Sequence, residues 1–192
     1  FSIMQVSDIE QNAIMIDSVS KRFSMCGARI GWVVSKNKEV MKSILKFAQA
    51  RLSPPTYSQI GAERAFDVPE TYFEEVLKEY TQRRNVLIEE LQKVQGVRVS
   101  MPKGAFYCIA ELPVENAEDF CIWLLDNFSV NNETVMLAPA EGFYATEGLG
   151  RNQVRIAYVL EKEKIVKAIH ILADALKKYN KLTNADNEFI GS

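Results

Sequence analysis

The sequence predicts an α/β fold in which strands and helices alternate along the chain. Short apolar runs of strand length, such as residues 13–17 and 29–35, are bounded by polar or glycine-containing segments. A longer stretch, from about residue 69 to 96, places apolar side chains at steps of three and four residues, which is the helical period. Interleaving of these two kinds of segment is typical of α/β and α+β proteins.

Residues 1–56 contain too few predicted elements to close a sheet alone. The predicted elements are a strand at 13–17, a strand at 29–35, and a helix from its N-cap Asn37 to about Arg51. Prolines in the segment 53–59 end this helix, because each lacks an N–H and restricts the residue before it. We therefore assign 57–70 as an interdomain segment.

Residues 71–180 predict a second domain with its own sheet. Its predicted elements are a long helix from about Pro69 to Gly96, strands at 97–102 and 105–112, a helix from Glu118 to Phe128, strands at 134–139 and 153–160, and a helix from about Glu161 to Lys178. The helices carry apolar stripes that can cover a sheet. Residues 181–192 are predicted to be a disordered tail.

The composition is that of an ordinary globular protein and argues against several classes of function. The 192 residues suffice for one or two domains. Lys plus Arg total 23 and Asp plus Glu 25, so the net charge of -2 gives no basis for a nucleic-acid or membrane partner. The three cysteines are widely spaced and His170 is the single histidine, so no metal site is expected. Unpaired cysteines fit a reducing, cytoplasmic location.

The segment 17–32, DSVSKRFSMCGARIGW, follows a predicted buried strand and combines an amine with several donors. A lysine in such a loop can react with an aldehyde when neighbouring positive charge depresses its pKa. Hydroxyl and guanidinium donors in the same loop suit a phosphate dianion. The residues that would carry this chemistry are Ser18, Ser20, Lys21 and Arg29. A solvated surface loop would explain the same composition.

The same segment resembles the pyridoxal-phosphate lysine signature of the class I/II (fold type I) aminotransferases. That signature reads Ser-x-Ser-Lys-x-Phe-x-x-x-Gly-x-Arg-x-Gly, and its fixed positions are matched by Ser18, Ser20, Lys21, Phe23, Gly27, Arg29 and Gly31. The resemblance is to aspartate aminotransferase-like enzymes and covers roughly residues 10–180. It implies that residues 1–56 end the cofactor-binding large domain and that 71–180 form the α+β small C-terminal domain.

The resemblance also implies the cofactor pyridoxal 5′-phosphate and a role for each matched residue. Lys21 would hold the cofactor as an internal aldimine and then move the proton from substrate Cα to cofactor C4′. Ser18, Ser20 and Arg29 would bind the cofactor phosphate, although the Ser20 hydroxyl could equally cap its own backbone. The implied substrates are an amino acid and a 2-oxo acid, and the implied assembly is a homodimer.

Arg155 is the second candidate binding residue. It lies in the predicted strand 153–160 between Val154 and Ile156, where a charge needs a partner. A guanidinium can bind a carboxylate through two parallel hydrogen bonds, and the matching arginine of the family binds the substrate α-carboxylate. An acidic neighbour or a half-exposed position would also explain it. Residues 104–107 and 139–144 also resemble the family and could line the mouth of a cleft, but Tyr107 and Phe143 are interpreted as turn residues or core aromatics.

Three interpretations of function remain open at this point. The first is transfer of an amino group from an aspartate-like donor to 2-oxoglutarate. The second is a carbon–sulfur β-lyase or a decarboxylase on the same scaffold, and the third is a non-catalytic folding or dimerisation fragment. Asp8 and Asp17 are too close to Lys21 in sequence to match the family's ring-binding aspartate. We therefore expect a C-terminal half of an enzyme, inactive by itself.

Overall fold

The chain divides between Tyr72 and Phe73 into two units, and the computed structural model describes the backbone of residues 2–190 and the side chains of residues 2–183. In the first unit, strand β1 (Met15–Ser18) pairs antiparallel with strand β2 (Gly31–Val34). The α-helices described within this unit are the single turn α1 (Val19–Arg22), α2 (Lys38–Arg51) and α3 (Thr56–Ala65). Both predicted strands and the helix after Asn37 are confirmed, with each strand shorter than predicted. The prediction that the first strand is buried is wrong, because Ile16 of β1 is 75% exposed.

Local sequence explains where α2 and α3 begin. The Asn37 side-chain oxygen accepts hydrogen bonds from the backbone N–H groups of Glu39 and Val40, each at 3.1 Å, so Asn37 caps α2 as predicted. Helix α3 was not predicted, because the prolines were interpreted only as a helix end. Pro55 immediately precedes α3, where a missing N–H has no intrahelical partner to lose, so the same prolines also begin a helix.

The second unit is built on a four-stranded antiparallel sheet with the strand order β3–β4–β6–β5. Its strands are β3 (Arg98–Val99), β4 (Tyr107–Glu111), β5 (Ala138–Pro139) and β6 (Gln153–Ala157). Its helices are α4 (Glu70–Gln92, which starts at the end of the first unit), α5 (Ala117–Asn127) and α6 (Lys162–Ile190). Strands and helices therefore alternate as the sequence predicts, and the α/β class is confirmed.

The core of the second unit lies between one face of this sheet and its three helices. Side chains alternate along β4 and β6, so Cys108 and Ala110 of β4 and Val154 and Ile156 of β6 point to the same face. The helices contribute Leu87, Ile88, Leu91, Phe120, Leu124, Ile165, Ile169, Leu172 and Leu176 to the same cluster. The opposite sheet face carries Arg155 and stays open within this unit.

The largest differences from the predicted boundaries in the second unit are at α6, β3 and β5, and each of these two strands has two residues instead of the six predicted. Helix α6 continues to Ile190 instead of ending at Lys178, because no proline or glycine follows Lys178 before Gly191. Residues 181–190, predicted as part of a tail, therefore lie in this helix, while 191 and 192 are outside the described residues. Strand β5 is short because only Ala138 and Pro139 pair with β6.

Leu124→Ala should lower the free energy of unfolding by about 2–5 kcal/mol, because it leaves a cavity in the core. Leu124 is 0% exposed, whereas its neighbour Leu125 is 48% exposed. Leu125→Ala is the matched control and should cost about 1 kcal/mol or less. Urea unfolding followed by circular dichroism measures both, and equal losses would contradict this placement of the core.

Candidate functional site

The predicted lysine segment folds into the single helical turn α1, directly after β1. Ser18 ends β1 and caps this turn, since its Oγ accepts a hydrogen bond from the Ser20 backbone N–H at 3.2 Å. The hydroxyl that caps this turn is therefore that of Ser18, and not that of Ser20. Lys21 lies in the same turn and is exposed. The turn therefore presents its lysine outward from a capped and hydrogen-bonded backbone.

Two apolar residues on either side of Lys21 anchor the turn. Val19 is 0% exposed, and Phe23 is buried with its ring centroid 5.2 Å from that of Phe66, in an edge-to-face contact. Trp32 of β2 also contacts Phe66, at 5.7 Å between centroids. The phenylalanine of the signature therefore has a packing role, which holds the turn against the rest of the first unit.

The two glycines of the signature do different things. A Cβ added at Gly31 would lie 3.0 Å from the Asp17 carbonyl oxygen and 3.4 Å from the Ser18 Cβ. Gly31 therefore permits the close approach of β2 to β1 beside the lysine turn. A Cβ at Gly27 would have nothing within 4 Å, so no close approach within the chain requires glycine there.

Arg29 adopts the left-handed conformation, with φ at 56°, at the end of the 3₁₀ turn Cys26–Ala28. Its Nη1 donates a hydrogen bond to the Cys26 carbonyl oxygen at 2.9 Å. A non-glycine residue in this region costs about 1–3 kcal/mol, and such residues cluster at ligand-binding sites. The neighbouring Arg22 instead pairs with Asp17, at 3.2 Å between Nη2 and Oδ2.

The donors around Lys21 suit a phosphate group. The Ser18 hydroxyl accepts from Ser20, which leaves its own O–H available to donate. Arg29 is exposed, and its guanidinium carries five N–H donors, of which one binds Cys26. Hydroxyl and guanidinium donors on adjacent turns are the groups that bind a phosphate dianion through charge-assisted hydrogen bonds.

In the second unit, Arg155 lies at the centre of β6, on the open face of the sheet. The burial pattern of β6 alternates, so that Val154 and Ile156 are buried while Arg155 is exposed. Its guanidinium carbon lies 5.3 Å from the ring centroid of Tyr107 and 4.7 Å from that of Phe143. Among the side chains that the structure describes, those of residues 2–183, no carboxylate lies within ion-pair distance of Arg155, so the alternative of an acidic neighbour finds no support there.

A buried tyrosine holds the segment that precedes Tyr107. Tyr158, 2% exposed, donates from its hydroxyl to the Ala105 carbonyl oxygen at 2.9 Å. Its backbone N–H also donates to the Phe106 carbonyl oxygen at 2.9 Å. Burial raises the pKa of Tyr158, which keeps this hydroxyl protonated and able to donate. Ala105 has a φ of 62°, and these two bonds stabilise that left-handed turn.

A second tyrosine holds the segment that carries Phe143. Phe143 ends the 3₁₀ turn Glu141–Phe143. The hydroxyl of the next residue, Tyr144, donates a hydrogen bond to Gln153 Oε1 at 2.7 Å. The Tyr144 ring packs over Gly150, where an added Cβ would lie 2.3 Å from the ring and where φ is 79°. The turn is thus fastened to β6 two residues before Arg155.

Cys108, Cys121 and His170 are the cysteines and the histidine of the second unit. Burial raises the pKa of the Cys108 and Cys121 thiols to about 11, so both are protonated and inert at neutral pH. His170 is exposed, 3.5 Å from Glu90 on the surface. The described side chains, those of residues 2–183, form no cluster able to hold a metal ion, and no described helix is long and apolar enough to cross a membrane.

Tyr107 and Phe143 are the site residues that sequence reasoning misjudged. Both were predicted to be core aromatics, yet Tyr107 is 40% exposed and Phe143 is 55% exposed, and both contact Arg155. Strand alternation could have identified Tyr107, because it lies on the face opposite the buried Cys108. No local signal marks Phe143, since its contact depends on how the 3₁₀ turn folds against β6.

Comparisons with known proteins relate this chain to one enzyme family. The family model of aminotransferase class I and II matches residues 3–172. An aspartate aminotransferase from Pyrococcus horikoshii is 30% identical over 171 residues, which are 87% of this chain and 42% of that protein.

Solved structures agree with this relationship. An aspartate aminotransferase from Thermotoga maritima has 26% identity and a TM-score of 0.75, with 92% of this chain and 43% of that chain covered. An α-aminoadipate aminotransferase from Thermus thermophilus, complexed with N-(5′-phosphopyridoxyl)-L-leucine, has 27% identity and a TM-score of 0.73, with 88% and 43% covered. The chain therefore spans less than half the length of these relatives.

Gly150→Ala should destabilise the protein by about 2–4 kcal/mol, because the new methyl group meets the Tyr144 ring and φ is positive. Gly142→Ala, in the same loop, is the matched control, since a Cβ there has nothing within 4 Å. We expect the control to change stability by about 0.5 kcal/mol or less. Urea unfolding compares the two; a tolerated alanine at 150 would show that Tyr144 does not pack there.

Proposed function

The chain belongs to the aminotransferase class I and II family, and from this premise we propose that it is part of a pyridoxal-phosphate-dependent aminotransferase. The reaction would move an amino group from an aspartate-like amino acid to a 2-oxo acid. The observation that carries the proposal is the lysine turn, in which Lys21 is exposed, the Ser18 hydroxyl keeps its proton to donate, and the exposed Arg29 follows eight residues later in the sequence. Relatives named as aspartate aminotransferases support the aspartate-like donor.

Lys21 would bind the cofactor covalently through its Nζ and later carry the proton that leaves the substrate Cα. A lysine suits both tasks, because its amine is a nucleophile when neutral and a base near the reacting carbon. When bound, the pyridoxal group supplies a ring that delocalises the negative charge developing at Cα. The buried Val19 and Phe23 hold the lysine turn in place for this work.

Ser18, Ser20 and Arg29 would bind the cofactor phosphate. Ser18 can donate its hydroxyl proton while it caps α1, so one residue both shapes the turn and contacts the ligand. Arg29 would add a charge-assisted contact from its exposed guanidinium. The left-handed backbone of Arg29 supports this assignment, because strained conformations are kept where function needs them.

Arg155 would bind the α-carboxylate of the substrate. A planar guanidinium matches a carboxylate with two parallel hydrogen bonds, which fixes orientation as well as charge. Arg155 is suited to this role because it is exposed and its ring neighbours, Tyr107 and Phe143, leave its positive charge uncancelled.

We further propose the domain roles, location and assembly of the protein. Residues 1–56 would be the C-terminal part of the cofactor-binding domain, residues 71–180 would form the small domain, and residues 57–70 would connect the two domains. The free cysteines Cys26, Cys108 and Cys121 support a reducing compartment such as the cytoplasm. The active protein would be a homodimer, as the family resemblance implies.

Lys21→Ala in the full-length protein should abolish transamination, because both the covalent attachment and the proton carrier are lost. Borohydride reduction with pyridoxal phosphate, followed by peptide mass spectrometry, should label Lys21 in the unmodified protein and nothing at that position in the variant. Lys36→Ala removes another exposed lysine of the first unit and is the control, which should keep both label and turnover. Activity of Lys21→Ala within about tenfold of the parent, a difference of only about 1.4 kcal/mol in barrier, would overturn the assignment.

Arg29→Ala and Arg29→Gly should raise the dissociation constant of pyridoxal phosphate equally, by about 10- to 100-fold, because both remove one charge-assisted contact. The free energy of unfolding of the glycine variant should nevertheless exceed that of the alanine variant by about 1 kcal/mol, since glycine adopts positive φ without strain. Calorimetric titration and urea unfolding measure the two effects separately. Unchanged cofactor affinity in both variants would show that Arg29 does not bind the cofactor phosphate and is an ordinary surface residue.

The 192-residue chain by itself is expected to show no turnover of aspartate with 2-oxoglutarate. Transamination needs an acid that keeps the pyridine nitrogen protonated. Asp17, which lies close to Lys21 in sequence, is paired with Arg22 and does not fill that role. A coupled assay on the purified chain with added cofactor tests this, and robust turnover would disprove it.

A further inference from the structure

The Arg155 guanidinium contacts two aromatic rings that reach it from the two sides of β6. The distances of 5.3 Å to Tyr107 and 4.7 Å to Phe143 are within the range of about 6 Å over which a cation is attracted to a ring. Tyr107 comes from β4, which flanks β6 on one side, and Phe143 follows β5, which flanks it on the other. We call this arrangement the aromatic pair.

Backbone pairing fixes the position of each ring. In the β4–β6 ladder Arg155 lies opposite Ile109, so Tyr107, two residues earlier on β4, shares its face of the sheet. On the other side, the Ala140 N–H donates to the Gln153 carbonyl oxygen at 2.9 Å, just before the turn that carries Phe143. The Tyr144 hydroxyl bond to Gln153 fastens the other end of that turn. Neither ring depends on the substrate for its placement.

We propose that Tyr107 and Phe143 are positioning residues that order the Arg155 side chain before a carboxylate binds. This deepens the proposed function and rests on it. A free arginine side chain loses rotamer entropy when it is fixed, and the aromatic pair lowers that loss on binding. An acidic neighbour would also order the side chain, but it would cancel the charge and use the donors that the carboxylate needs.

The test uses the full-length protein loaded with pyridoxal phosphate, with succinate as an unreactive carboxylate probe. Tyr107→Leu and Phe143→Leu should each raise the succinate dissociation constant, measured by calorimetry, by about 2- to 5-fold. KM for aspartate should rise by a similar factor while kcat stays within about twofold, since carboxylate binding is equal in the ground and transition states. Phe143→Tyr keeps the ring and should restore most of the affinity lost in Phe143→Leu.

A double-mutant cycle with Arg155→Ala separates an action through Arg155 from a direct contact with the ligand. In the Arg155→Ala background, the two leucine substitutions should have no further effect on succinate affinity. Equal effects in both backgrounds would overturn the proposal, because the rings would then act without the arginine. Both rings are more than a third exposed, so the leucine variants should fold, and thermal unfolding checks this.

The same data distinguish failure of this proposal from failure of the proposed function. If Arg155→Ala leaves the affinity for succinate unchanged, Arg155 does not bind the carboxylate, and the proposed function of this residue is contradicted. Arg155→Ala that weakens binding, with leucine variants that bind like the parent, would leave the proposed function standing and reject the aromatic pair. If all three single variants bind succinate more weakly, and the leucine substitutions have no further effect in the Arg155→Ala background, the data support both the carboxylate role of Arg155 and the aromatic pair.

Discussion

The pairing of β6 with β4 on one side and β5 on the other is the constraint on which the second unit depends. Because side chains alternate along a strand, the register that buries Val154 and Ile156 also turns Arg155 to the open face. A slip of one residue would bury the guanidinium and expose two core side chains. Hydrophobic packing on one face of the sheet therefore determines the position of a charge on the other, and the same register brings Tyr107 beside it.

The lysine turn in the first unit follows the same logic on a smaller scale. Val19 and Phe23 are buried, and Lys21 between them is exposed, so apolar contacts hold a turn whose outward residue is cationic. The close approach of β2 at Gly31 and the Ser18 cap add backbone constraints on either side. In both units, buried neighbours in sequence fix the backbone beside an exposed positive side chain, Lys21 or Arg155. The buried neighbours make the backbone rigid and leave the charged group exposed.

Features encoded within a few residues were predictable from the sequence, and features that depend on distant contacts were not. The Asn37 cap, the proline break and the strand around Arg155 follow from local rules and are present in the structure. Helix α3 was missed because the prolines could end one helix or begin another. The aromatic neighbours of Arg155 were misjudged because their exposure depends on sheet register and on the Tyr144–Gln153 bond, which join residues from separate segments.

By itself, the sequence determined the α/β class, the family to which the chain belongs, and the identity of Lys21, Ser18, Ser20, Arg29 and Arg155 as candidate site residues. The class follows from the alternation of strand and helix patterns, whereas the family and the site residues follow from the resemblance of residues 18–31 to the lysine signature and of the segment around Arg155 to the same family. Only the tertiary structure decided that Ser18 caps the lysine turn, that Arg29 is left-handed, and that Arg155 contacts two rings instead of an acid. These are matters of geometry, and geometry is set by hydrogen bonds and packing between parts of the chain that no local pattern connects.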